Sequence, residues 1–243
     1  MNRYLQVGLR AAAPIEIYSQ LLAGFEMARL DPRVVGVNIA QPEDAPVPIR
    51  DFRLHMRMLE YLHGQYPEVG ITLHAGELVE GLVPPEDLRF HIRASIDQGR
   101  ARRIGHGVDV MYEDDALGLL QQMARDKVLV EIALSSNDGI LGVRGARHPL
   151  RTYLAYGVPV ALATDDEGVS RSSLTREFER AVEEHDLDYP TLKALARNAL
   201  QFSFVQADEK ATLLEQFDAD VRAFEAKWAA FTPPAAALRR AAR

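Results

Sequence analysis

The sequence predicts an α/β protein of parallel strands joined by crossover helices, an incomplete (β/α) barrel with extra helices at its C-terminal end. Short apolar runs alternate with longer stretches of helical period, the pattern that strand-helix-strand connections produce. The runs VVGVNIA, VLVEIAL and VPVALAT are apolar nearly throughout, as strands covered on both faces are. Titratable residues recur at the C-terminal ends of such runs, where a barrel gathers them at one mouth.

In chain order, strands are expected to begin near Tyr4, Val34, Ile71, Ile104, Val128 and Val158. Crossover helices are expected over Ile15 to Arg29, Ile49 to Gln65, Glu86 to Gln98, Asp114 to Arg125 and Ser172 to His185, with Pro14 and Pro85 placed near helix starts. The clearest is Ile49 to Gln65. It sets Phe52, His55, Met56, Leu59 and Leu62 on one face and Arg50, Arg53, Arg57 and Glu60 on the other. Tyr189 to Phe202 and Asp208 to Trp228 add two helices suited to packing on a finished barrel. Six β-then-α units result, whereas a closed barrel of this kind needs eight. The first two units are therefore expected to be missing from the chain. With no internal repeat and no linker, residues 1–243 read as one domain, ending in a basic tail from about 232 to 243 that is expected to fray.

Composition limits the function classes. The 47% hydrophobic and 26% charged residues are ordinary for a globular protein. A net charge of −7 argues against a nucleic-acid partner, which would need clustered Lys and Arg. The absence of cysteine removes disulfides and thiolate metal sites. No segment approaches the roughly 20 apolar residues of a membrane span, and the N-terminal apolar run is too short and interrupted for a signal peptide, so a soluble, cytoplasmic protein is expected.

The chemistry-bearing residues are His74 and Glu77 in ITLHAGE, His106 in RIGHG, Ser135 to Asn137 in ALSSND, and Asp165 and Asp166 in ALATDD. Alone, His74 reads as a hydrogen-bonded strand-end histidine. Ala75 and Gly76 change that, because they permit a turn that returns Glu77 to the same opening, an imidazole of metal-binding type beside a carboxylate able to move protons. Gly105 and Gly107 flank His106 and allow close approach of a ligand. Asp165 and Asp166 would repel if both were ionised and unpaired, which favours a cation or a proton there; otherwise they cap the next helix. His55, His63, His91 and His185 fall in helical stretches and read as packing or surface residues, and His148 as part of a turn. Glu43 and Asp44 follow a strand, where a solvated loop is at least as good a reading as the mouth.

ITLHAGE, RIGHGVD, SSND, HPL and GVPVALATDDEGV stand in the order found in adenosine deaminases, and the likeness runs from about Arg3 through ALARNALQFSF. The chain thus resembles the C-terminal portion of that family. The resemblance implies a TIM-type barrel of the metal-dependent hydrolase kind, with strands three to eight present. It implies zinc held by His74 and Asp165, and Glu77 as the proton donor to the purine ring. It also implies His106 as the residue that orients and helps deprotonate the attacking water, catalytic duty for Asp165, and Asp166 and Gly76 as substrate contacts. The substrate would be a small purine nucleoside, adenosine or a relative, hydrolysed to inosine and ammonia.

Two departures stand out. The family's His-x-His, two further zinc ligands, occurs nowhere in the chain. The loop after the second strand carries Gln41 where the family has a purine-contacting glycine, so Gln41 is expected to affect substrate identity. On two ligands, residues 1–243 alone are expected to hold zinc weakly, to lack measurable deamination and, with open sheet edges, to be poorly soluble or to oligomerise. The alternative is a non-catalytic remnant that binds a purine-like ligand or a partner subunit.

Overall fold

A computed structural model describes residues 2–229; the basic tail lies outside the described residues. Six strands form one sheet in the order β1 to β6, each parallel to its predecessor: β1 Tyr4–Leu9, β2 Val34–Ala40, β3 Gly70–Ala75, β4 Arg103–His106, β5 Leu129–Ile132 and β6 Val160–Leu162. Sequential parallel order with helical returns is the arrangement of a barrel wall, and it supplies six of the eight strands that closure requires. The strand starts match the apolar runs to within two residues.

The returns are α1 Pro14–Leu30, α2 Pro46–Gln65, α3 His91–Asp97, α4 Ala116–Asp126, α5 Leu134–Leu141, α6 Leu150–Ala155, α7 Glu167–Ser170, α8 Leu174–His185 and α9 Tyr189–Gln201. Pro14 occupies the first turn of α1, where its missing N–H costs nothing. In α2 all five apolar-face positions are buried, from Phe52 to Leu62, while Arg50, Arg53 and Arg57 face solvent. Each fully buried Leu or Phe there contributes about 2 kcal/mol.

Two local expectations fail. The helix expected over 86–98 breaks into a 3-10 turn at Pro85–Leu88 and α3, because Phe90 leaves helical geometry (φ −152°, ψ −6°). Its ring packs edge-on to Phe52 at 5.8 Å beneath the Arg53 guanidinium. The SSND segment is not a strand end but the first turns of α5.

The core joins the inner faces of α1, α2 and α4 to the strands. α9 is tied to β6 by Asn198, whose Nδ2 donates to the Val160 carbonyl at 2.9 Å. At the N-terminal end of the sheet, Gly36 and Gly70 pair across β2 and β3, and any larger side chain at either would meet the ring of Phe204. Arg102 and Arg103 lie on that ring at 5.0 and 4.9 Å.

The chain divides into two compact units, Met1–Phe204 and Val205–Arg243. The first holds the sheet. In the second, α10 spans Ala207–Ala229, with Asp208 and Glu209 in its first turn and Lys227 in its last, as the helix dipole favours. Among the described residues no helix is long and apolar enough to cross a membrane.

Candidate active site

His74 is the fifth residue of β3 and emerges at its C-terminal end. Its backbone is fixed on both sides: its N–H donates to Asn38 Oδ1 at 3.1 Å, and its carbonyl accepts from Arg10 Nη2 at 2.6 Å. Gly76 then turns the chain with φ +78°, a conformation glycine adopts without strain. A side chain there would collide with Asp109 Oδ1 and Ile92.

The turn delivers Glu77 to His74. Glu77 Oε2 lies 3.2 Å from His74 Nε2, and Glu77 Oε1 lies 3.4 Å from His106 Nδ1. His106 ends β4 with φ +71°, and its ring centroid is 4.4 Å from that of His74. One ligating atom from each of His74, Glu77 and His106 falls within 4.8 Å of the others. His74 Nε2 and Glu77 Oε1 are buried without a hydrogen-bond partner. Burying such atoms unsatisfied is costly unless a ligand completes them. A buried imidazole whose Nε2 has no hydrogen-bond partner is a donor that suits zinc, so His74 fits the ion that the resemblance implies.

The electrostatics agree. Burial, with the Arg10 charge, lowers His74 to about 4, so its imidazole is neutral and able to ligate. Burial, with His74 alongside, likewise lowers His106, against the pull of Glu77 and Asp165. Burial raises Glu77, opposed by His106, the direction that suits a carboxyl acting as a proton donor.

The other expected residues lie around this trio. A cavity of about 510 Å³ is lined by His74, Glu77, Gln41, Glu43, Asp165 and Asp166 together with apolar side chains. Asp165 stands outside the compact trio, with φ +54° and Oδ2 accepting from Ser136 Oγ at 2.8 Å. Asp166 occupies the N-cap position of α7 without a side-chain cap bond. Gln41 has φ +95° and accepts from the Ala11 N–H at 2.8 Å. The N–H of Gly76 is committed to Glu43 and its carbonyl to the N–H groups of Val108 and Asp109.

Sequence reasoning left Glu43 between a solvated loop and the mouth. Its side chain is fully buried, receives the N–H groups of Gly76 and Glu77 at 3.1 and 2.9 Å, and lies 2.6 Å from His91 Nδ1. Burial alone would raise this carboxyl; the His91 hydrogen bond and the Arg10 charge bring it below the usual carboxylate range. The available signal was its position, an acid just past the end of a strand whose neighbours carry site residues.

Comparison with known proteins supplies the family. Residues 3–220 match the family model described as Adenosine deaminase. An adenine deaminase of Chelativorans sp. is 31% identical over 214 residues, covering 87% of this chain and 60% of that protein. The N6-methyl-AMP deaminase of Arabidopsis thaliana superposes with a TM-score of 0.71 at 25% identity, over 89% of this chain and 58% of that one. An amidohydrolase from Burkholderia ambifaria, solved with bound Zn, superposes with a TM-score of 0.73 over 94% of this chain and 59% of that one; at 18% identity it speaks for the fold alone. The fold is that of the barrel-type deaminases. This chain belongs to the adenosine deaminase family, and it spans about 60% of the length of each of these three proteins.

Proposed function

We infer that the chain carries the acid-base side of a zinc-dependent aminohydrolase site that replaces the exocyclic amine of a purine by oxygen, releasing ammonia. The convergence of His74, Glu77 and His106 within 4.8 Å beside a cavity bearing Asp165 and Asp166 supports this reading most directly.

His74 would hold the ion together with Asp165, and the chemistry zinc supplies when bound is activation of water at neutral pH. Glu77, whose carboxyl burial shifts toward its protonated form, protonates the ring nitrogen next to the attacked carbon and makes that carbon electrophilic. His106 orients the water. Asp166 and Gln41, on the cavity wall, contact the purine. The turn at Gly76 aims Glu77. Adenosine, adenine and N6-substituted AMP all fall within the substrate class, which the names of the similar proteins span; a lining with five carboxylates and, among the described residues, no Lys or Arg favours a nucleoside or free base over a phosphorylated substrate.

The experiment is zinc titration by calorimetry and ammonia release from adenosine, adenine and AMP, on a form of the protein that also carries the family's His-x-His segment and is supplied with zinc. Zinc binding lost in His74→Ala, and turnover lowered at least about a hundredfold by Glu77→Gln with zinc binding kept, are the expected results. Zinc binding unaffected by His74→Ala would overturn the metal assignment. Purine binding without ammonia release would favour the non-catalytic remnant.

A further inference from the structure

Behind His106 runs a buried line of polar groups that the proposed reaction does not use. Asn137 of α5 lies 3.0 Å from His106 Nδ1 through its Nδ2, and its Oδ1 lies 3.1 Å from His148 Nε2. The Leu150 backbone N–H donates to His148 Nδ1 at 3.1 Å. His106, Asn137 and His148 are all buried, Asn137 completely.

We propose that Asn137, itself oriented by His148, fixes the His106 imidazole as its Nε2–H tautomer and commits Nδ1 as an acceptor. The direction of the line follows from its far end. A backbone N–H can only donate, so His148 Nδ1 carries a lone pair and the ring proton sits on Nε2. A protonated His148 would set an N–H against the N–H of Leu150. Burial, with the charges of His185 and Arg180, holds it neutral, near 3. His148 Nε2–H therefore needs an acceptor, and Asn137 must present its oxygen. The Asn137 NH2 is then turned to His106, and its hydrogen requires an unprotonated Nδ1. Each bond dictates the next, so the amide orientation and both tautomers are determined together.

Glu77 Oε1, 3.4 Å from the same Nδ1, is the competing partner, since it would favour a proton there. Asn137 is closer and occupies the lone pair. Neutral His106 then offers a hydrogen from Nε2 and has no free lone pair on that nitrogen, so it orients a nucleophile by donating to it. Asn137 and His148 are positioning residues. The tautomer stands without the aminohydrolase reading; only its use in orienting the nucleophile rests on that reading.

Two-bond ¹⁵N–¹H correlation spectra of residues 1–243 labelled with ¹⁵N-histidine test this, with His106 assigned from the signals lost in His106→Asn. Wild type should show His106 and His148 both as Nε2–H. In Asn137→Asp, whose oxygens accept from both rings, His106 should convert to Nδ1–H. His148→Gln keeps a donor for Asn137 and an acceptor for Leu150 and should preserve the wild-type tautomer, whereas His148→Ala should yield a mixture. A wild-type spectrum with His106 as Nδ1–H overturns the proposal with no variant needed, and so does a folded Asn137→Asp protein with an unchanged tautomer. Because the spectrum requires no turnover, failure of the deamination reading would leave this result untouched.

Discussion

Glu43 Oε1 lies 2.6 Å from His91 Nδ1, with both side chains sealed from solvent. The same carboxylate receives the two N–H groups that shape the turn into Glu77, so a hydrogen-bonded pair in the protein interior sets the aim of a residue at its mouth. Glu43→Ala would leave His91 and two backbone donors unpaired. The expected cost is about 3–5 kcal/mol, as for other buried pairs broken from one side. Urea unfolding measures it, and a loss below about 1 kcal/mol would mean that the turn holds itself.

Glu113 gives the protein a pH dependence of definite sign. Burial pushes its carboxyl up from 4.5 to about 7, against the pull of the backbone N–H groups of Ile92 and Arg93. The folded state binds this proton more tightly than the unfolded chain, so the stability it confers is complete below about pH 4.5 and is lost as pH rises to about 7. A spread of roughly 2.5 pH units corresponds to about 3 kcal/mol. Between pH 5 and 7.5, Glu113→Gln should lose less stability than wild type. Parallel stability curves for the two proteins would refute this.

Much of this architecture was legible in the sequence because it rests on periodicity. The apolar face of α2 is a strict helical stripe, and VVGVNIA and VLVEIAL read as buried strands. LSSNDGIL carries no such stripe, and its Ser, Asn and Asp favour turns as readily as helix, so α5 stayed hidden. The site divides in the same way. His74, Glu77, His106 and Asp165 stand at strand ends, where chain position alone marks them. Glu43, His91 and Asn137 act through partners tens of residues away and His148 through Asn137 eleven residues before it, pairings that only the folded chain reveals.

Gly76→Ala tests how tightly the turn is built. A Cβ there would lie 2.6 Å from Asp109 Oδ1 and 2.8 Å from Ile92 Cδ1, on backbone already at positive φ. Left-handed strain of about 1–2 kcal/mol and overpacking of about 1–3 kcal/mol add, and a loss of at least 2 kcal/mol is expected from thermal or denaturant unfolding. A near-neutral change would show that Ile92 can withdraw.

Gln41→Gly should act on selectivity more than on stability. Glycine relieves the strain of φ +95°, while the hydrogen bond from the Ala11 N–H, worth about 0.5–1.5 kcal/mol, is lost. These effects offset, and net stability should move by less than about 1 kcal/mol. In a form that also carries the family's His-x-His segment, relative kcat/KM across adenine, adenosine and 6-substituted analogues should change. An unaltered ranking would place Gln41 outside the substrate's reach.

Phe204, seated over Gly36 and Gly70, braces the sheet at the end of the strands away from His74 and His106. Tolerance to mutation is thereby partitioned along the strand axis. Variation among Phe204, Arg102 and Arg103 can tune how firmly the molecule resists heat without touching a group that meets substrate. Variation at the other end can redirect chemistry while the brace stays whole. A lineage, or an engineer, can adjust durability and selectivity as two separate dials on one sheet.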